Sequence, residues 1–353
     1  MNLYEHELYL EDIDHVLSID LPWEKLERKS ILISGATGMI GSFLVDILMK
    51  KNKSGLGCSV YALSRNEQDF KSRFSQWADN KYLHFIKHDV LKPLPITDLD
   101  VMDYVLHLAS NTHPIQYATD PIKTITTNIY GLKNRLDFAC DHHAVRFAFA
   151  SSNEIYGENR GDTELFDESY CGYIDCNTSR AGYPESKRCG EALCQAYKAQ
   201  KGLDVVIPRF TRSYGSTMRM TDSKAISQFL KRAVAEENIV LKSAGTQYYS
   251  YTYVADAVTG LMYVLLCGKN GEAYNISDTG SDITLKDLAA IIARIAGKRV
   301  VYEIPDELEA SGYSKATKAR LDGGKIRKLG WEANYDLQSG IERTIHIMRS
   351  IYA

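Results

Sequence analysis

Short apolar runs alternate with longer stretches in which apolar residues return every three or four positions, and this pattern holds from Lys29 to about Pro208. Ile31, Leu32 and Ile33 make one run; Ile40, Phe43, Leu44, Ile47 and Leu48 then recur at the spacing of a single helix face. The pattern predicts strands at 31–34, 58–63, 82–86, 103–108, 146–150 and 204–208. It predicts helices at 38–50, 66–77, about 121–141 and about 183–200. Strands separated by crossover helices imply a parallel sheet covered on both faces, with right-handed connections. After Pro208 the regularity weakens: 209–246 and 278–353 read as short helices, loops and turns, and Tyr251–Leu266 as a strand edge running into a helix. Residues 1–28 carry two short helical patterns separated at Leu21-Pro22, which predicts an arm packed on the core through Trp23 and Leu26. The expected organisation is that arm, an α/β domain over 29–208 completed by about 249–277, and a smaller lobe from 209–248 and 278–353.

Composition narrows the class without changing this picture. Of 353 residues, 44% are hydrophobic and 25% charged, which fits a globular chain and excludes disordered and fibrous ones. The net charge is -3 and there is no dense Lys/Arg block, so a nucleic-acid partner is not expected. The N-terminus is acidic and amphipathic, unlike a signal peptide, and no apolar run reaches the length of a membrane span. The seven cysteines (58, 140, 171, 176, 189, 194 and 267) contain no Cys-x-x-Cys. Neither a disulfide framework nor a metal site is suggested, and a reducing cytoplasm is the simplest location.

The first predicted strand and helix meet at Gly35-x-x-Gly38-x-x-Gly41. Such a turn brings the free N–H groups at a helix start to the strand end, where a dinucleotide pyrophosphate can sit. Thr37, Met39 and Ile40 would lie on this cradle, and the doubly wound, Rossmann-type parallel sheet follows as the expected fold, with the smaller C-terminal lobe left to bind substrate. The second strand ends in Ser64-Arg65-Asn66, with no acid before Glu67. A carboxylate there would suit the ribose hydroxyl of NAD; a hydroxyl and a guanidinium suit the 2′-phosphate of NADP. The cofactor expectation is therefore NADP or NAD, leaning to NADP. Asp89 and Val90 after the third strand are placed at the adenine, and Leu108, Ala109 and Ser110 after the fourth along the cofactor's path.

Tyr183 and Lys187 stand four residues apart, one helical turn, so both can face one side. A phenol becomes a base near neutrality only if its pKa falls by about three units, roughly 4 kcal/mol, which a neighbouring ammonium and a positive nicotinamide ring can supply. Upstream, Ser151-Ser152-Asn153-Glu154 follows a predicted buried strand, so Ser152 and Glu154 should emerge at the sheet's carboxyl edge.

Together these segments resemble the extended short-chain dehydrogenase/reductases, in the branch of nucleotide-sugar epimerases, dehydratases and decarboxylases. The resemblance spans about 29–350 and rests on the glycine turn, His107-Leu108-Ala109-Ser110, Asn128 in TTNIYGLKN, SSNEIYG, Tyr183/Lys187, Arg209 with Tyr214-Gly215, the segment around Asp256, TLKDLA and LGWEANYDLQSGIERTI. It implies hydride abstraction from a sugar carbinol by bound NAD(P), chemistry on the ketone, and hydride return. Tyr183 would be the base, Lys187 would lower its pKa and hold the nicotinamide ribose, and Ser152 would bond the reacting oxygen. Asn128 and Ser151 would border the cofactor. His113, Asn153, Arg209, Lys224 and Arg320 would meet the substrate, a nucleotide-diphosphate-linked sugar or polyol. The helices at 121–141 and 183–200 would pair two copies into a homodimer.

HLASNTHPIQYATDP, SRAGYPESKR and MRMTDSKAISQFL look most like UDP-glucuronate decarboxylases. Three positions depart from that pattern: Tyr249 stands for an arginine, Arg212 for an asparagine, and Thr217 for another arginine. The loss of a cation at Tyr249 argues against decarboxylation. Asn153 stands where dehydratases carry an aspartic acid, which removes the acid a dehydration needs. Glu154 remains as a base beside a ketone, or as an orienting carboxylate. Epimerisation is thus the leading expectation, followed by decarboxylation, then net reduction or dehydrogenation; a non-catalytic NADP-sensing protein is the alternative from another class.

Overall fold

A computed structural model describes residues 2–95, 101–111, 114–305, 310, 313–314 and 316–352. The main sheet contains β1 (Ser30–Ser34), β2 (Ser59–Ser64), β3 (Leu83–Lys87), β4 (Tyr104–His107), β5 (Arg146–Phe149), β6 (Ser151–Ser152), β7 (Val205–Phe210) and β11 (Ala273–Ile276). Its order is β11-β7-β5-β4-β1-β2-β3, with β6 also on β7, and every pairing is parallel. The order reverses between β1 and β4, the crevice where open α/β sheets take their ligands.

β1 is apolar throughout because both its faces are covered. Ile31 and Ile33 pack into one cluster with Phe43, Leu44, Ile47 and Leu48 of α2 (Met39–Lys53) and Leu261 and Leu265 of α8 (Val254–Cys267). Leu32 faces the other cluster, with Leu132 and Leu136 of α5 (Pro121–Asp141) and Cys194 of α6 (Gly182–Lys201). The predicted helix at 66–77 divides into α3 (Glu67–Arg73) and a 3-10 turn at Ser75–Trp77. α4 (Pro114–Thr119) precedes α5.

The remaining strands form a smaller C-terminal lobe. β10 (Tyr248–Tyr253) pairs with β12 (Asp282–Thr284), β14 (Lys318–Ala319) and β8 (Arg212–Tyr214), while β9 (Ile239–Leu241) pairs with β13 (Val300–Tyr302). α7 (Ala225–Val234) and α9 (Leu285–Ala296) pack on them. Asp256 on α8 accepts the backbone N–H groups of Asn334 and Tyr335 at 2.9 and 3.0 Å and so ties the lobe to the main sheet.

The N-terminal arm is α1 (Glu7–Ser18) between two 3-10 turns, Leu3–Glu5 and Trp23–Leu26. Leu26 is fully buried and Trp23 partly. Asp46 on α2, itself fully buried, accepts from Tyr4, Tyr9, Trp77 and Arg73. Asp12 accepts from Tyr253 and from Arg343 of the C-terminal helix Leu337–Tyr352. The arm thereby joins β10 to the last helix. Among the described residues no helix is long and apolar enough to cross a membrane, and no group of acidic, His or Cys residues could hold a metal ion.

Candidate active site

A cavity of about 910 Å³ lies at the carboxyl edge of the sheet and runs between it and the C-terminal lobe. One end is the glycine turn. Gly35 has φ +77°, and a Cβ there would sit 2.7 Å from the Ala109 nitrogen. A Cβ on Gly41 would sit 2.4 Å from the Gly35 carbonyl oxygen. α2 therefore begins tight against β1, and its N-cap, Gly38, has no side-chain cap. The first-turn N–H groups are left for a ligand in the cavity. Gly41→Ala should displace the helix start, cost about 1–3 kcal/mol of stability, read as a lower thermal midpoint, and weaken cofactor binding measured by titration.

Thr37, Met39, Ile40, Ser64, Arg65, Asp89, Val90, Leu108, Ala109 and Ser110 line this half of the cavity. Asn128 does not line it. It is buried, accepts from Ser110 Oγ at 2.7 Å and donates to Ser186 Oγ at 2.8 Å, so it fixes the β4 end to α6.

The reactive end is built by β6 and the start of α6. β6 pairs with β7 for two residues, and the chain then turns through the 3-10 segment Asn153–Tyr156, with Ser152 Oγ accepting Glu154 N at 3.2 Å. Ser151, Ser152, Asn153 and Glu154 all reach the cavity. Ser151 Oγ donates to Glu191 at 2.5 Å. α6 starts at Gly182, with Pro184 in the first turn where its missing N–H costs nothing. This sets Tyr183 and Lys187 on the cavity side. The phenol faces Ser152 and stacks on Tyr117, ring centroids 4.5 Å apart. Burial raises the Tyr183 pKa; Ser152 opposes the shift and Glu154 adds to it.

Lys187 departs from the sequence expectation. Its Nζ donates to the Ala150 carbonyl oxygen at 2.7 Å, and burial pushes its pKa down to about 7, against the pull of Glu191. Its Nζ lies 5.9 Å from the centre of the Tyr183 ring. In the cofactor-free protein burial works against both charges. A measurable consequence follows from the sign. A lysine at about 7 when folded and 10.5 when unfolded binds fewer protons in the native state between those values. Stability should rise with pH across that window by up to about 1.4 kcal/mol per unit. Lys187→Met should flatten the profile measured by thermal unfolding of cofactor-free protein.

Two guanidiniums surround Glu154. Arg180 Nη2 donates to Oε2 at 2.7 Å, and its plane lies 4.8 Å from the Tyr117 ring. Arg212 Nη2 lies 3.9 Å from Oε1, and its guanidinium stacks on the Tyr249 ring at 3.4 Å. Arg212 Nη1 is buried with no hydrogen-bond partner among the described residues. The stack arises because β8 pairs with β10, Arg212 opposite Tyr251, next but one to Tyr249. Tyr249 itself supplies no cation, as its side chain requires, and Arg212 on the neighbouring strand places one against its ring. Tyr249 itself donates to the Ala316 carbonyl oxygen at 2.8 Å.

Three other residues expected at the substrate do not line the cavity. Arg209 is buried in a two-pronged ion pair with Glu191 (2.6 and 3.0 Å) and bonds Tyr156. Arg320 stacks on Tyr248 near Asp282. Thr217 Oγ1 donates to the Met39 carbonyl oxygen at 2.9 Å, behind the helix start. Lys224 does line the cavity, with Nζ 2.8 Å from Asp222. His113 lies outside the described residues. Arg180, Tyr117 and Arg219 are cavity residues the sequence reading missed. Arg180 stood three positions before Tyr183, the separation that brings side chains together on one turn; the other two carried no local signal.

The cavity's uncapped helix start, bare glycines and buried Tyr183/Lys187 pair fit a nicotinamide dinucleotide. A family model described as the NAD dependent epimerase/dehydratase family matches residues 31–277. The chain is 31% identical over 323 residues to UDP-glucuronic acid decarboxylase 1 of Xenopus tropicalis, covering 92% of this chain and 73% of that protein. It is 32% identical over 315 residues to UDP-glucuronic acid decarboxylase 5 of Arabidopsis thaliana, covering 88% and 86%. A solved dTDP-glucose 4,6-dehydratase, DesIV of Streptomyces venezuelae with NAD and TYD bound, has TM-score 0.76 at 24% identity, over 91% of this chain and 97% of that one. The UDP-glucuronic acid 4-epimerase of Bacillus cereus in complex with UDP-glucuronic acid and NAD has TM-score 0.77 at 23% identity, over 92% and 100%. The protein is therefore an enzyme of the NAD dependent epimerase/dehydratase family, among the extended short-chain dehydrogenase/reductases.

Proposed function

We propose that the enzyme oxidises, inverts and re-reduces C4 of a nucleoside-diphosphate-linked hexuronate, converting it to its 4-epimer. The observation that carries this reading is the guanidinium pair around Glu154, with a buried Arg212 nitrogen that has no acceptor among the described residues. Two cations on one carboxylate leave this cluster one positive charge, which a single substrate carboxylate would complete. The sequence relatives are named for UDP-glucuronic acid, and one structural neighbour holds it.

In this reading Tyr183 removes the C4 hydroxyl proton, Ser152 bonds the reacting oxygen, and both return the proton after inversion. The bound nicotinamide supplies the hydride acceptor that becomes the donor on return. Lys187 holds the strand end through Ala150 and would hold the nicotinamide ribose. Glu154 is an anchor for Arg180 and Arg212; simple inversion at C4 requires no base at C5. Asn153 orients sugar hydroxyls, and Lys224 meets the diphosphate. At the adenosine end Ser64 and Arg65 favour NADP over NAD. The protein works as a cytoplasmic homodimer, supported by the exposed Ile122, Ile125 and Tyr130 on α5, which packs beside α6.

Decarboxylation is the second reading, favoured by the names of the relatives and by the fact that a C4 ketone makes the C5 carboxylate a β-keto acid. Arg212 places a cation against Tyr249, where the sequence pattern lacked one. Inversion is preferred because it needs only Tyr183, Ser152 and the returning hydride. Incubation with UDP-glucuronate, followed by NMR of the nucleotide sugars, should show the 4-epimer. Carbon dioxide and a nucleotide pentose as the main products would establish the second reading instead.

A further inference from the structure

The segment that carries Ser152, Asn153 and Glu154 has little backbone support of its own. β6 is two residues long, Ser151 pairing with Arg209 and Ser152 with Phe210, and the 3-10 turn Asn153–Tyr156 follows at once. Side chains supply the rest, and they meet at one carboxylate. Glu191 stands four residues after Lys187 and eight after Tyr183, so α6 presents all three on one face.

Ser151 Oγ donates to Glu191 Oε1 at 2.5 Å, and Arg209 Nε and Nη2 donate to Oε1 and Oε2 at 3.0 and 2.6 Å. The carboxylate thus clasps the two residues that face each other across β6 and β7. Arg209 Nη1 continues to the Tyr156 hydroxyl and the Glu168 carbonyl oxygen, each at 2.8 Å. That hydroxyl in turn donates to Asn275 Oδ1 on β11 at 2.6 Å. Both ends of the segment, Ser151 and Tyr156, are therefore tied to one ion pair, with Ser152, Asn153 and Glu154 between them. The side chains of Glu191 and Arg209 are only 14% and 10% exposed, and neither lines the cavity.

We propose that Glu191 and Arg209 form a positioning pair for the reaction, holding Ser152 against the Tyr183 phenol and Glu154 beside Arg180 from outside the cavity. This rests on the roles given to Ser152 and Tyr183 above. A hydroxyl that must bond the reacting oxygen works only within a narrow range of positions, and a shift of about 1 Å can cost about 100-fold in rate. The two-residue ladder cannot set that position alone; the ion pair fixes both ends of the segment at once.

The test compares wild type with Glu191→Gln, Arg209→Lys and the double variant Glu191→Gln/Arg209→Met. The readouts are thermal unfolding, NAD titration, hydrogen–deuterium exchange of the peptide spanning 150–157, and consumption of UDP-glucuronate whatever the product. Glu191→Gln should speed exchange in that peptide and lower kcat about 10- to 100-fold, with KM and NAD affinity within about threefold of wild type. It also leaves the Arg209 charge buried without its partner, so the midpoint should fall. The double variant removes both charges and should regain midpoint while turnover stays low, because Ser151 and Tyr156 are still untied. Arg209→Lys keeps the charge without the fork and should fall between Glu191→Gln and wild type. If Glu191→Gln does not fold, the other two variants carry the same comparison. Turnover that recovers with the midpoint in the double variant would reduce the pair to a stabilising clasp and overturn the proposal, as would unchanged exchange at 150–157 in the variants. A wild type that leaves UDP-glucuronate untouched would count against the substrate assigned above; the exchange measurement, which needs no sugar nucleotide, then decides.

Discussion

Replacing Tyr183 by phenylalanine should lower turnover by roughly a thousandfold, the usual scale for losing a positioned acid–base group, while cofactor affinity changes little. The substitution removes one oxygen and keeps the ring that stacks on Tyr117. Packing at the start of α6 is therefore preserved, and the loss belongs to proton transfer. Burial already holds the Tyr183 pKa up, and burial lowers that of Lys187. The rise in rate with pH should accordingly follow the phenol only once a positive ring is bound beside it. Turnover and cofactor titration on the same preparation check this; an active phenylalanine variant would remove Tyr183 from the mechanism.

Arg212→Leu is the second large effect. It should lower kcat/KM for UDP-glucuronate about 100-fold, close to 2.7 kcal/mol, which is the scale of a charge-assisted bond lost in a desolvated pocket. The guanidinium carbon lies 3.4 Å from the centre of the Tyr249 ring and the group is within ion-pair reach of Glu154, so it is held before substrate arrives. Binding of a neutral analogue, UDP-glucose, should change less than about threefold, because no carboxylate is present to lose its partner. Arg212→Lys keeps the charge but not the planar fork or the stack, and should recover only part of the loss. Equal loss for both nucleotide sugars would show that Arg212 shapes the pocket without recognising a carboxylate.

The parts of this site that were readable from the chain are those carried by local spacing. The glycine turn follows directly on the first apolar run, and Tyr183 and Lys187 lie one helical turn apart. Ser152 and Glu154 could be placed because a buried strand precedes them. What escaped depends on contacts between distant segments. Arg212 reaches Tyr249 only because β8 and β10 pair in parallel, and nothing near either residue announces that register. Arg209 looked like a substrate ligand by resemblance, but Glu191 claims both its forks. Asn128 spends its amide on Ser110 and Ser186, one step behind the cofactor path. Lys187 was read as an ammonium because spacing reports proximity and not dielectric; its depth in the fold brings its pKa down to about 7.

The account turns on one hydride leaving C4 and returning to it within the same active site. UDP-glucuronate deuterated at C4, supplied in excess over enzyme, tests this directly. The predicted product is the 4-epimer with deuterium retained at C4 and no steady change in nicotinamide absorbance. Deuterium accumulating in free cofactor, or its replacement by solvent hydrogen at C4, would contradict the account.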